Sequence, residues 1–524
     1  ASAQARGANQ VFTQTPTTGP TAFGGNISLS AESGTFSAGS IELYTRANAI
    51  NADTPGNATA GNVTLFANSP GAQRGSFALT DCVNAFCEIT ATGSGARGVN
   101  GSSGQGGNIL IYASDADLTL PGDFTAYASA QAGESRNGDG IVGISGTATA
   151  GTVTVESRAG AQNSAVLSLG AFNVDAKAVA TAPSEGPSFV AGNGGDAVGG
   201  GVVFNILGGQ FSADTLEITA DSFGGASAVT CPGCDGGGVT PFQAGTGTGG
   251  TASFLMAGGT ATIGTLTISA LGVGGDAESP FSTDSIGAIA GVGRGGTASF
   301  EARSGTITVG ALTVSAGGRG GAGGATLDAN AVDGGASVGG TASFLMDFGS
   351  NAVVNVTSLN VSAVGTGGMG GTSELSDTDD AYGAGSGGSG SGGTVDFVLA
   401  GGTLTSPFIT ISAFGTGGDG GRNGSDGAGG NAGSGTGGTA QFTLASEGHS
   451  LGVIGVEANG RGGVAGDAKA IVGYDAFGQP IYAVGIGAGG RGGSGTGGRA
   501  NMVVDVDPIL TNLTISANGA GTRG

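Results

Sequence analysis

One glycine-anchored unit recurs through the whole chain, and that repetition limits the fold more than any other feature. Residues 249–254 read Gly-Gly-Thr-Ala-Ser-Phe, and the same six residues return at 295–300 and 339–344. Looser copies are anchored at Gly25, Gly61, Gly107, Gly151, Gly200, Gly393, Gly438 and Gly498. With Gly250, Gly296 and Gly340 these make an anchor about every 47 residues. A repeat of that length is one supersecondary unit that cannot bury its apolar face alone, so neighbours must stack on it.

Each copy opens with a strand. Counting from the anchor, the second, fourth and sixth residues are apolar or small, and the residues between them are mostly Ser, Thr, Asn, Asp or Gln. Alternation with a period of two marks a strand with one buried side. In the middle and late copies the fourth position is Phe204, Phe254, Phe300, Phe344, Phe397 and Phe442, and the expectation is a core ladder of stacked rings. A second strand follows, with inward columns such as Leu216-Ile218-Ala220, Leu266-Ile268-Ala270 and Ile409-Ile411-Ala413. Between the two lies a short piece such as Thr260 to Ile263, a candidate third strand. Gly250 to Ala270 spans about one solenoid turn. The predicted fold is therefore all-β, a parallel β-solenoid (right-handed β-helix) of about eleven coils. At one strand spacing per coil its core would be about 50 Å long. A propeller fits the repeat length, but two convincing strands per copy are too few for four-stranded blades.

The rest of each copy is a long glycine-rich loop. Its outgoing leg reads, for example, Gly415-Thr416-Gly417-Gly418-Asp419-Gly420-Gly421, and its return leg Gly433-Ser434-Gly435-Thr436-Gly437-Gly438. Glycine recurring near every third residue suits an extended helix of three residues per turn. Collagen is excluded, because there are only 13 Pro. The expectation is that successive legs stack as backbone-bonded segments and form a thin fin along the rod. The competing reading makes each loop an independent decoration.

Composition bears on function. The chain holds 117 Gly among 524 residues, no Trp and one His, with 38% hydrophobic and 10% charged residues. That apolar content is too high for a disordered linker. A net charge of −22 repels phosphate backbones, so nucleic acid is not an expected partner. No apolar run is long enough for a membrane-spanning helix. Cys82 with Cys87 and Cys231 with Cys234 form two local pairs, expected as disulfides in an oxidising compartment. For Cys231-Pro232-Gly233-Cys234 a metal half-site and a redox centre are the other readings. The densest acidic run holds Asp377, Asp379 and Asp380, candidates for weak Ca²⁺ ligation beside the plainer reading of a solvated loop. No other cofactor is expected. His449 leaves a single candidate for a Ser-His-Asp triad, and no recurring carboxylate cluster appears along one face, so the chain is read as a non-enzyme. The insertion from Gly462 to Gly490 carries Tyr474, Phe477, Pro480 and Tyr482 and is the candidate tip for a glycan, a cell-surface ligand or a neighbouring subunit, beside the plainer reading that it packs on its own rod.

The strand-turn-strand repeats with Gly-Gly-Thr or Gly-Asn anchors resemble secreted β-helical surface proteins of Gram-negative bacteria, the filamentous-haemagglutinin-like exoproteins and autotransporter passengers. The likeness is architectural and covers about residues 24–517; the Asn-Pro-Asn-Gly motif of the two-partner exoproteins does not occur in this sequence. The resemblance implies adhesion or surface structure at the cell exterior, and supplies no site residue. The domain reading is an arm at 1–23, with Asn9 to Thr15 as a strand for a neighbouring subunit, then the repeat domain at 24–517 and a tail at 518–524. Open strand edges at the rod ends lead to the expectation of self-association. The expected function is that of an extracellular structural protein, a subunit of a surface filament, fibre or layer. The alternative is an adhesin passenger, or a fragment of a larger adhesin, binding through its loops.

Overall fold

The computed structural model describes residues 4–6, 18–32, 34–69, 75–80, 82, 87–120, 122–135, 143–159, 165–183, 190–230, 242–277, 288–327, 330–374, 383–423, 428–474, 480–484, 489–506 and 510–523. The described residues contain strands and no helix. Consecutive copies lie one above the other in parallel register: Thr251–Ser269 pairs with Gly201–Thr219 on one side and with Thr297–Ser315 on the other. The chain is thus a parallel β-solenoid.

Each turn of the solenoid has three strand segments, because alternation has to restart at two corners. In the copy at 251–269 the first segment buries Ala252, Phe254 and Met256, the second Ala261 and Ile263, and the third Leu266 and Ile268, followed by Ala270. The short piece at 260–263 is therefore a full side of the coil. The first corner is made by glycine in the left-handed region, with φ of 79° at Gly259, 91° at Gly305, 67° at Gly402 and 90° at Gly448. A β-bulge shifts the register there.

The core is one continuous column. Phe204, Phe254, Phe300, Phe344, Phe397 and Phe442 occupy matching register positions in successive coils. Neighbouring rings lie 4.6–5.7 Å apart, and from Phe204 to Phe397 they are within 13° of parallel. The six rings are fully buried. Spacing of that size follows from strand separation, and offset stacking adds about 1 kcal/mol per pair to area burial.

The glycine-rich legs form a second module beside the coil. Residues 24–25, 61 and their counterparts carry the chain from one module to the other, and an 11-stranded parallel sheet of two-residue strands, among them Gly247–Thr248, Gly390–Ser391 and Gly435–Thr436, runs along the return legs. Gln4–Arg6 pairs in parallel with Tyr44–Arg46 of the same chain; Asn9 to Thr15 lie outside the described residues. Gly519–Ala520 of the tail pairs with Gly460–Arg461.

Candidate functional site

The fin is the part of the molecule whose chemistry is not that of an ordinary core. Outgoing legs bond to outgoing legs at every third residue: the N–H groups of Gly417, Gly420 and Asn423 donate to the carbonyl oxygens of Arg461, Val464 and Asp467 at 2.8–2.9 Å. Return legs do the same, Gly387 to Asn431 and Gly390 to Ser434. The two layers are also bonded to each other, again with a stride of three. Gly418 donates to Gly388 and Gly421 to Gly385, so the layers run antiparallel; Gly433 then donates to Gly418, and Gly463 to Gly433. A three-residue stride is that of an extended threefold helix, in which successive N–H groups point in three directions. One direction stays in the layer, one crosses to the other layer and one faces out.

This partition gives Gly-Gly-X a cause. A Cβ on Gly417 would fall on the carbonyl oxygen of Gly433, and one on Gly418 on that of Gly368. The third residue, Asp419, faces out and is free to vary: its equivalents are Met369 and Val464, both largely exposed. The outward N–H has no layer to bond to, and here the Asn and Asp residues act. Asp419 Oδ1 accepts the N–H of Val464 at 2.7 Å, while the next residue, Gly420, donates to the Val464 carbonyl. Asn193 holds Gln243 in the same two-point clamp, as Asp276 holds Ala322, Asp333 Ser386, and Asn431 Arg491. The side chain stands in for a peptide carbonyl that the fold does not provide. Asp276, Asp333 and Asp419 are therefore structural caps.

Titratable groups also gather on the third strand of the early coils. Tyr44 donates to Glu88 Oε2 at 3.2 Å, and Thr90 Oγ1 to Glu88 Oε1 at 2.6 Å. Burial, reinforced by Glu88, pushes the Tyr44 phenol up to about 12. Burial raises the Asp175 carboxyl to about 6, against the opposing pull of Lys177, and Asp221 and Glu217 push it the same way. Asp175 Oδ1 and Asn173 Oδ1 are buried without a hydrogen-bond partner. Lys177 Nζ sits 4.5 Å from the centroid of Phe223. Sequence reading missed this group because its members lie about 45 residues apart in different repeats. Only the register places Glu88, Thr125, Asn173 and Glu217 in one row.

The other candidates fall as follows. Cys82 and Cys87 are joined by a disulfide and are buried, with Cys87 in register with Phe124. Cys231, Cys234, Asp377, Asp379 and Asp380 lie outside the described residues. Among the described residues no group of three or more His, Cys, Asp or Glu side chains is set to hold a metal ion. In the insertion, Lys469–Tyr474 and Pro480–Val484 form an antiparallel hairpin, and Phe477 lies outside the described residues. No helix among the described residues is long and apolar enough to cross a membrane. No family model, curated protein or solved structure matches the chain.

Proposed function

We propose that this chain is an extracellular structural protein, the rod-forming subunit of a surface filament, fibre or layer. The observation that carries the reading is the double bonding of the fin. From about residue 91 onward each described leg is tied both to its neighbour in the layer and to the opposite layer, so the two layers of the fin brace each other along the rod. Such an arrangement resists bending, and stiffness is the property a surface rod needs. The buried Cys82–Cys87 disulfide supports an oxidising compartment. The stacked strand-turn-strand repeats support the likeness to filamentous-haemagglutinin-type exoproteins and autotransporter passengers, and with it a bacterial, secreted origin.

Electron microscopy of the purified protein tests the proposal. Filaments or sheets growing with protein concentration are the expected result. A monodisperse particle that instead binds immobilised glycans would favour the adhesin reading, with the tip of the 462–490 insertion as the first segment to delete.

A further inference from the structure

His449 is the only histidine of the chain, and it sits at a coil corner, between Thr439–Leu444 and Ser450–Glu457. The turn at Gly448, with φ of 90°, brings its half-buried ring against the preceding coil. The N–H of Leu404, in that preceding coil, donates to Nδ1 at 3.0 Å. Nε2 lies 2.9 Å from Ser446 Oγ, which lies 3.4 Å from the carbonyl oxygen of Leu399, again in the preceding coil. A backbone N–H can only donate, so Nδ1 must carry its lone pair and the proton of the neutral ring must be on Nε2. The relay then runs from Nε2–H to Ser446 Oγ, and from the Ser446 hydroxyl to Leu399. This direction also removes His449 as a base for Ser446, because the nitrogen facing the hydroxyl is the protonated one.

We infer that His449 is an acid-released latch between two adjacent coils. The neutral ring ties the corner at 445–450 to residues 399–404; protonation places a hydrogen on Nδ1 facing the Leu404 N–H, and two donors cannot share that contact. Few charges surround the ring. Its own turn carries exposed Glu447, and the facing residues Leu399 to Leu404 have no titratable side chain. The following coil brings Asp505, whose N–H donates to Leu444 O; residues 507–509 of that corner lie outside the described residues. Burial holds the imidazole below its ordinary 6.5. A histidine whose folded pKa is depressed stabilises the closed corner in full above 6.5, and that contribution is lost as pH falls through the folded value.

A single histidine allows a direct test on the whole protein. With ¹⁵N-histidine labelling the one imidazole should show the Nε2–H tautomer and titrate below 6.5. Hydrogen exchange at the Leu404 amide, corrected for intrinsic rates, should lose protection by up to about tenfold per pH unit as pH falls from 6.5 towards that midpoint, and level off below it. His449→Asn keeps an acceptor where Nδ1 stood but cannot titrate, so its Leu404 protection should be independent of pH. An Nδ1–H tautomer, a midpoint at or above 6.5, unchanged Leu404 protection in acid, or the same acid loss in His449→Asn would each overturn the latch.

Discussion

In Gly417-Gly418-Asp419 the three residues have three different neighbours, and their tolerance of change should differ accordingly. Gly418→Ala puts a methyl on the Gly368 carbonyl and should destabilise the fin by about 3 kcal/mol, the upper end of ordinary overpacking. Asp419→Ala removes only the clamp on Val464 and should cost about 1 kcal/mol. Asp419→Asn should be close to neutral, since Asn431 makes the same clamp. Urea titrations of the three variants check the order. The clamp has a chemical consequence as well. Asn-Gly pairs lose ammonia when the glycine nitrogen attacks the asparagine Cγ. In Asn193-Gly194 the Oδ1 accepts from Gln243 N–H and Gly194 N–H donates to the Gln243 carbonyl, so both reacting groups are held. Peptide mapping after incubation at mildly alkaline pH should find this pair intact in folded protein and deamidated in urea; equal rates would contradict the clamp.

At the scale of the element, each strand carries its own test. Phe300 is stacked on both sides, by Phe254 and Phe344, so Phe300→Ala should cost about 4 kcal/mol by urea denaturation. The Cys82–Cys87 bridge closes a loop of only a few residues, and its reduction should cost about 2 kcal/mol. In the strand Ala171–Asp175 the terminal carboxyl is poorly solvated and titrates near 6 rather than 3.8. The folded state therefore binds its proton more tightly than the unfolded one. Its stabilising contribution is full below 3.8 and is lost as pH rises through about 6. Asp175→Asn should accordingly raise stability at pH 8 by up to roughly 3 kcal/mol and leave it nearly unchanged at pH 3. A stability gain that does not depend on pH would contradict the burial argument.

Across the whole molecule, what the sequence makes legible is what repeats. The Phe column, the Leu-x-Ile-x-Ala strand and the stride of the glycine legs are periodic, and period fixes which side chains face in. The middle coil side at 260–263 is harder to place, since four residues between glycines suit a turn as well as a strand. The relation between outgoing and return legs was not legible, because glycine offers no side chain to record a neighbour. The clamps were hidden for a related reason: an outward Asn or Asp reads as solvated polarity until its partner in the next coil is known. Tyr44, Glu88 and Asp175 became a group only through register.

The glycine-rich legs form two ordered layers bonded to each other rather than a set of independent loops. Hydrogen exchange of the intact protein, read by mass spectrometry, tests this most directly. Peptides covering 365–373, 415–423 and 428–438 should be protected to nearly the same degree as the core strands Thr251–Ser269 and Thr297–Ser315, because their glycine N–H groups donate within or across the layers. Exchange of those leg peptides at the rate of unstructured chain, with the core strands still protected, would mean that the legs are independent loops.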